Sequence, residues 1–454
     1  MKELHELTAL DAGRAIVERK FSAAEYVEAL LTRIERYEPD LLAWETVDSE
    51  GARHAARVAD QSLDSPGRRG PFVGVPFGVK DIYYTAGLRT TMSSTVFQDF
   101  VPDHDATSIA RMRASGMVVL GKSVSTEFAS GDPPRTRNPW DHECTPGGSS
   151  SGSAVAVAAR MCPIATGSQT AGSVCRPAAY NGVVGFKPTF GRVSRFGVYP
   201  LSWSFDTVGW MARSVSDCAA MLDVVSGIDP RDPSTKAAPG GSIGESYRSA
   251  AEWKPRIGLV GEYFDDQATP EVVSHTQAVA DRLADAGAHV ETFQLPPSFD
   301  GLHEAHLVVH YSESAIAHRE TFNRQPNDYA PNIRASIESA TLLPLSAYVN
   351  GQRIRQVFYD ELHTGLSGYD VIMMASTPSP APRDLSSTGD PMFQTPWTNA
   401  GTPVVTIPTG LSADGLPLGV QFVSTAWDDA GALRAAHWAE RVLDAEIGLP
   451  PSLG

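Results

Sequence analysis

Apolar residues recur at helical spacing near the start of the chain and then give way to short, β-rich runs. Ser22-Ala-Ala-Glu25 forms a capping box, and Val27, Leu30, Leu31 and Ile34 follow on one face. This predicts an amphipathic helix that packs by that face. From about Phe72 glycine turns and small-residue segments take over. Val118-Val119-Leu120 and Val183-Val184-Gly185-Phe186 are apolar runs too short for helices and read as buried strands, whereas Ser153 to Arg160 reads as a tightly packed helix. A stretch rich in Pro, Gly and Ser from Gly227 to Lys254 predicts a long surface connection. Beyond it, Arg256 to Val260 (strand), Glu271 to Ala286 (helix) and His289 to Leu295 (strand) give a β-α-β rhythm. Helical stretches follow near His303–Glu320 and Leu345–Gly365. Tyr369 to Ala375 reads as a strand leading into the proline-studded loop Thr377–Arg383, and Val404–Pro408 and Gly419–Val423 complete the strands. No internal repeat is visible. The chain reads as one large α/β unit: a helical region at about 1–65, a core at about 70–226, the connection at about 227–254 and a second α/β lobe at about 255–454.

Composition narrows the class. With 454 residues, 42% hydrophobic and 20% charged, the chain is long enough and apolar enough to bury a large core. A disordered tail, a disulfide-stapled miniprotein and a fibrous repeat are excluded. Lys and Arg number 37 against 53 Asp and Glu, a net charge of −16, which repels phosphate backbones. No nucleic-acid partner is expected on that ground. Cys144, Cys162, Cys175 and Cys218 lack metal-ligand spacing and fit a reduced interior. The first twenty residues carry charges throughout, and the most apolar stretch, Ala154 to Ala159, stops at Arg160. The expectation is a cytoplasmic protein without a membrane span.

Three motifs compete for the chemistry. Gly116-Met-Val-Val-Leu-Gly121-Lys122-Ser123 matches a phosphate-binding loop letter by letter. Its four intervening residues are themselves the predicted strand, so their N–H groups belong to a sheet and cannot cradle phosphate. Gly148-Ser149-Ser150-Ser151-Gly152 contains a nucleophile-elbow pattern centred on Ser150, but no strand precedes it in Asn138 to Gly147. The third is a constellation. Gly74-Val-Pro-Phe-Gly-Val-Lys80-Asp81 sets a lysine in an apolar segment. Gly147-Gly-Ser-Ser-Ser-Gly-Ser153 opens a helix. Gly167-Ser-Gln-Thr-Ala-Gly-Ser173 leads into Arg176-Pro-Ala and Gly182-Val-Val-Gly-Phe-Lys187-Pro. A run such as Thr170-Ala171-Gly172-Ser173 can aim several backbone N–H groups at one oxygen, as an oxyanion hole requires.

In this order the three pieces resemble the amidase signature family, over nearly the whole chain and most densely from Val73 to Thr207. The resemblance implies a single unit with a central mixed β-sheet flanked by helices on both sides. It implies a Ser–cis-Ser–Lys triad: Lys80 as base, Ser149 as relay and Ser173, 24 residues further on, as nucleophile. Thr170, Ala171 and Gly172 take the oxyanion role, and Trp397 falls where related enzymes shape the substrate pocket. Asp390 and Tyr311 are weaker candidates of that kind. No metal or cofactor is implied. Two departures stand out. Gln169 and Ala171 replace the aspartate and first glycine of the family's D-T-G-G-S, and Arg176 sits three rather than two residues past the serine. They leave the subgroup and substrate open.

A serine hydroxyl needs a base within hydrogen-bond reach, and a lysine serves only when neutral, a form that desolvation favours. Val75, Phe77, Val79 and Ile82 supply that apolar setting; the bland alternative is a surface lysine beside Asp81. The expected activity is hydrolysis of a small-molecule carboxamide or related C–N bond through a serine acyl-enzyme. The resemblance also implies a homodimer. One rival shares the fold: the glutamine-hydrolysing subunit of a tRNA-dependent amidotransferase. Another is a non-catalytic binding protein on the same scaffold. His303, His306 and His310 share one helical face and read as a pocket wall or soluble face rather than a metal site, because no carboxylate partner or HExxH pattern accompanies them.

Overall fold

The apolar runs become eleven strands, among the residues described, that hydrogen-bond into one mixed sheet. The structure is a computed structural model that describes residues 3–64, 70–237, 253–445 and 447–453. In chain order the strands are β1 (Trp44–Val47), β2 (Pro76–Lys80), β3 (Val118–Ser123), β4 (Ile164–Gln169), β5 (Val184–Lys187), β6 (Thr207–Ala212), β7 (Arg256–Leu259), β8 (His289–Thr292), β9 (Val371–Ala375), β10 (Val404–Leu411) and β11 (Pro417–Val423). Their spatial order is β1-β3-β2-β4-β6-β5-β10-β11-β9-β7-β8. β3, β2 and β4 run parallel, as do β9, β7 and β8, and an antiparallel block joins the two groups. The strands beyond residue 255 therefore continue the sheet of the earlier ones, through the β5–β10 pairing.

Helices pack along both sides of this sheet. The capping box closes as expected: Ser22 Oγ accepts from the Glu25 N–H at 3.0 Å, and the Glu25 carboxylate accepts from the Ser22 N–H at 2.7 Å. The helix Ala23–Leu41 buries Tyr26, Val27, Leu30, Leu31 and Ile34. The helix Ser151–Ala158 is buried on every side, which its small residues permit. Expected helices and strands of the second lobe are found within a few residues of their predicted ends: Pro270–Asp285, Leu302–Arg324 and Leu345–Leu366 among helices, β7 to β11 among strands. The predicted surface connection differs at its start. Asp229 and Asp232 are buried, and they accept from Ser194 Oγ at 2.7 Å and the Arg195 N–H at 2.7 Å. Two carboxylates that cap neighbouring loops hold this part against the core; the rest of the predicted connection, 238–252, lies outside the described residues. No helix among the described residues is long and apolar enough to cross a membrane.

Candidate active site

β2 and β4 are parallel neighbours, so both present their carboxyl ends on the same side of the sheet, where crevices form in α/β folds. Lys80 ends β2 and Gln169 ends β4. Lys80 is fully buried. Its Nζ donates to Ser149 Oγ at 2.8 Å and lies 2.8 Å from Ser168 Oγ, while its backbone N–H donates to Thr166 Oγ1 at 2.9 Å. Thr166 and Ser168 are two apart on β4 and so share one face, the one turned to Lys80. No carboxylate among the described residues is within ion-pair distance of Lys80. Asp81 instead accepts from Thr91 and lies 3.6 Å from the equally buried Lys122. Burial holds the Lys80 ammonium well below its ordinary pKa, against a weaker upward pull from Asp206.

Ser149 lies in the loop that opens the helix Ser151–Ala158, and the Gly148–Ser149 peptide bond is cis. Gly147 before it has φ +73°, and a Cβ there would meet Pro177 Cα at 2.9 Å, so the first of the two glycines is required sterically. Arg176 reaches back to this loop. Its guanidinium donates to the Gly148 carbonyl at 2.7 Å, the Gly389 carbonyl at 2.7 Å and Thr388 Oγ1 at 3.0 Å. The arginine that is displaced by one residue thus still orients the peptide before Ser149. Ser150, the elbow candidate, is buried against the β4 backbone, accepting from the Ser168 N–H at 3.3 Å. The phosphate-loop candidate is β3 itself, with Lys122 donating to Tyr83, Thr85 and Thr90.

Ser173 sits in the turn between β4 and the helix Cys175–Asn181, 8% exposed, on the wall of a cavity of about 880 Å³. Thr170, Ala171 and Arg176 share that wall. The backbone N–H groups of Ala171, Gly172 and Ser173 donate to no group among the described residues. A Cβ on Gly172 would meet Gln394 Oε1 at 2.6 Å, whereas Ala171 faces the cavity and tolerates its methyl. Gln169 grips this turn from beneath. Its Oε1 accepts from the N–H groups of Val174 and Cys175 at 2.9 and 3.0 Å, and its Nε2 donates to Thr398 Oγ1 at 2.9 Å. Thr398 Oγ1 in turn donates to the Ala171 carbonyl at 2.7 Å. Thr170 Oγ1 donates to Asp206 at 2.6 Å.

A sequence-family model described as Amidase matches residues 25–433. The chain belongs to that family. The chain is 35% identical over 486 aligned positions to a glutamyl-tRNA(Gln) amidotransferase subunit from Roseiflexus sp. (strain RS-1), covering 99% of each chain. Among solved structures it resembles the peptide amidase from Stenotrophomonas maltophilia, with a TM-score of 0.86 and 29% identity over 97% of each chain. It also resembles a 6-aminohexanoate cyclic dimer hydrolase solved with its substrate, with a TM-score of 0.88 and 26% identity over the whole of both chains.

The relatives correct one expectation. The charge of −16 points away from nucleic acid and leaves a small-molecule amide as the chain's expected partner, beside no membrane, for want of an apolar span, and the homodimer that the resemblance implies. Its curated relatives, however, are by name subunits of an enzyme of glutamyl-tRNA(Gln). Net charge sums a whole surface, so it does not report what one chain meets within an assembly.

Trp397 does not reach the cavity. It is fully buried and stacks on Phe264 at 6.0 Å between ring centroids, in a core cluster with Phe393. His303, His306 and His310 do line the cavity, as do Tyr311 and Asp390. Sequence reasoning missed Ser168 and Thr398. Ser168 was legible from its two-residue spacing to Thr166 on a strand; Thr398, 229 residues from Gln169, left no local signal.

Proposed function

We propose that this protein hydrolyses a linear carboxamide through a serine acyl-enzyme, with Ser173 as nucleophile, Ser149 as relay and Lys80 as base. The observation that carries the reading is a buried lysine whose amine meets hydroxyls and no carboxylate, which favours its neutral, proton-accepting form. Ser173 Oγ attacks the amide carbon. Its proton passes to Ser149 Oγ as the Ser149 proton passes to Lys80 Nζ. The tetrahedral oxyanion accepts from the free N–H groups of the 171–173 turn, a preorganised arrangement that needs no reorientation as charge develops. The C–N bond breaks as the proton returns through Ser149 to the leaving nitrogen. Water then attacks the ester along the same relay, releasing the acid and restoring Ser173.

Hydroxylamine added during turnover of a competent amide should yield the hydroxamate, and Ser173→Ala should abolish both products. Undiminished turnover by Ser173→Ala, or hydrolysis without any hydroxamate, rejects the reading. Cyclic amides form the control arm of the same assay. The second reading, a glutamine-hydrolysing subunit of a tRNA-dependent amidotransferase, is supported by the 35% identity over 99% of both chains. Glutamine turnover that appears only with partner subunits favours it; turnover of simple amides by the isolated chain favours the first.

A further inference from the structure

The cavity beside Ser173 has a second wall, and the proposed reaction makes no use of it. His303, His306 and His310 stand at i, i+3 and i+7 on the helix Leu302–Arg324 and all line the cavity. His306 is 1% exposed and lies flat on Phe205, with ring centroids 4.2 Å apart and planes at 24°. His303 stacks on Tyr263 at 5.5 Å and 23°. Neither ring nitrogen of His306 has a hydrogen-bond partner among the described residues, nor has Nε2 of His303. A buried polar group left unpaired costs about 1–3 kcal/mol, so an imidazole held there without partners is poised for a ligand.

Burial keeps all three rings uncharged at neutral pH: His303 is lowered, His306 is well below its ordinary value and His310 is down to about 4. A neutral imidazole offers one donor and one acceptor and no charge. The cavity lining also carries three carboxylates, Asp300, Glu304 and Asp390, against the single guanidinium of Arg176, which is turned to the carbonyls of Gly148 and Gly389. An anionic group gains little from such a wall. A wall of aromatic rings suits a flat partner.

We propose that His306, flanked by His303 and His310, recognises the acid portion of the amide by direct hydrogen bonds, and that this portion is an uncharged, flat ring bearing a donor or acceptor, as in a heteroaromatic carboxamide. The inference rests on the proposed reaction, because it takes the cavity beside Ser173 as the substrate site. Binding separates the two. Nicotinamide, benzamide, glutamine and lysinamide are titrated calorimetrically into the Ser173→Ala protein and into Ser173→Ala/His306→Phe, which keeps the ring and removes its nitrogens. Nicotinamide should bind about tenfold tighter than benzamide where His306 is intact, and the ratio should fall to about one where it is Phe. An unchanged ratio, no preference for nicotinamide in the first protein, or tightest binding by glutamine or lysinamide overturns the proposal. His303→Phe, at the less buried end of the row, should lower the ratio about threefold and serves as the test if His306→Phe does not fold. Residual turnover by Ser173→Ala strikes the reaction and leaves this ratio readable.

Discussion

Lys80 and Gln169 are buried polar side chains one strand apart, and their partners differ in kind. Lys80 is an amine that meets hydroxyls, which can pass it a proton; Gln169 is a neutral amide that accepts from two backbone N–H groups and donates to the Thr398 hydroxyl. Gln169 therefore acts as a positioning residue that fixes the turn carrying Ser173. A neutral amide suffices there, because one end accepts from two N–H groups while the other donates to Thr398. Gln169→Leu would strand two buried donors at about 1–3 kcal/mol each. We expect urea unfolding to report a loss of about 2–6 kcal/mol and kcat to fall more than KM rises. The sequence exposed Gln169 as a departure from the family's aspartate, but its partners depend on how the turn folds back over the strand end. Trp397 makes the converse point: the family resemblance set it at the pocket, and packing against Phe264 and Phe393 put it in the core.

At the scale of elements, the helix Leu302–Arg324 brings the histidine wall to the cavity, and Glu313 fixes its place. The Glu313 carboxylate is fully buried. It accepts from the Ser204 N–H at 2.9 Å, Ser204 Oγ at 2.6 Å and the Tyr348 hydroxyl at 2.9 Å, and also from Ser202. One acid thereby joins this helix to the loop after β5 and to the helix Leu345–Leu366. Glu313→Ala leaves these donors unpaired and opens a void. Thermal unfolding should show a loss of about 2–4 kcal/mol, and KM should rise as the wall loosens. Unaltered stability would mean that apolar packing alone places the helix. The helix was legible from its periodicity, whereas its anchoring was not, since the donors lie about 110 and 35 residues away in sequence.

Across the whole molecule, the β5–β10 pairing is the seam that unites the two halves, and Lys187 lies on it, opposite Val404. Its buried amine donates to the carbonyls of Pro188 and Thr402, and burial lowers its pKa to about 8. In the unfolded chain a lysine titrates near 10.4. Between about 8 and about 10.4 the unfolded state binds more protons than the folded state, so this group makes stability rise with pH across that window. Lys187→Met should flatten the slope of unfolding free energy against pH there by up to about 1.4 kcal/mol per pH unit, one proton's worth, as read from denaturant unfolding at several pH values. An equal slope in both proteins would place the titration elsewhere.

Local chemistry was written in the chain itself. Runs of apolar residues set the strands and helices, small residues set the buried helix, and glycines marked the loops that approach one another. The order of the lysine, double-glycine serine and T-A-G-S segments pointed to the family, because each motif satisfies a backbone requirement of its own. Distances between those segments belong to the folded sheet. Parallel pairing of β2 with β4 sets Lys80 beside Thr166 and Ser168, the loop before the helix Ser151–Ala158 brings Ser149 to its amine, and a helix more than 120 residues beyond Ser173 supplies another wall of the cavity. Hydrogen bonds and ring stacking between parts of the chain so far apart have no periodicity to betray them; only folding brings them within reach.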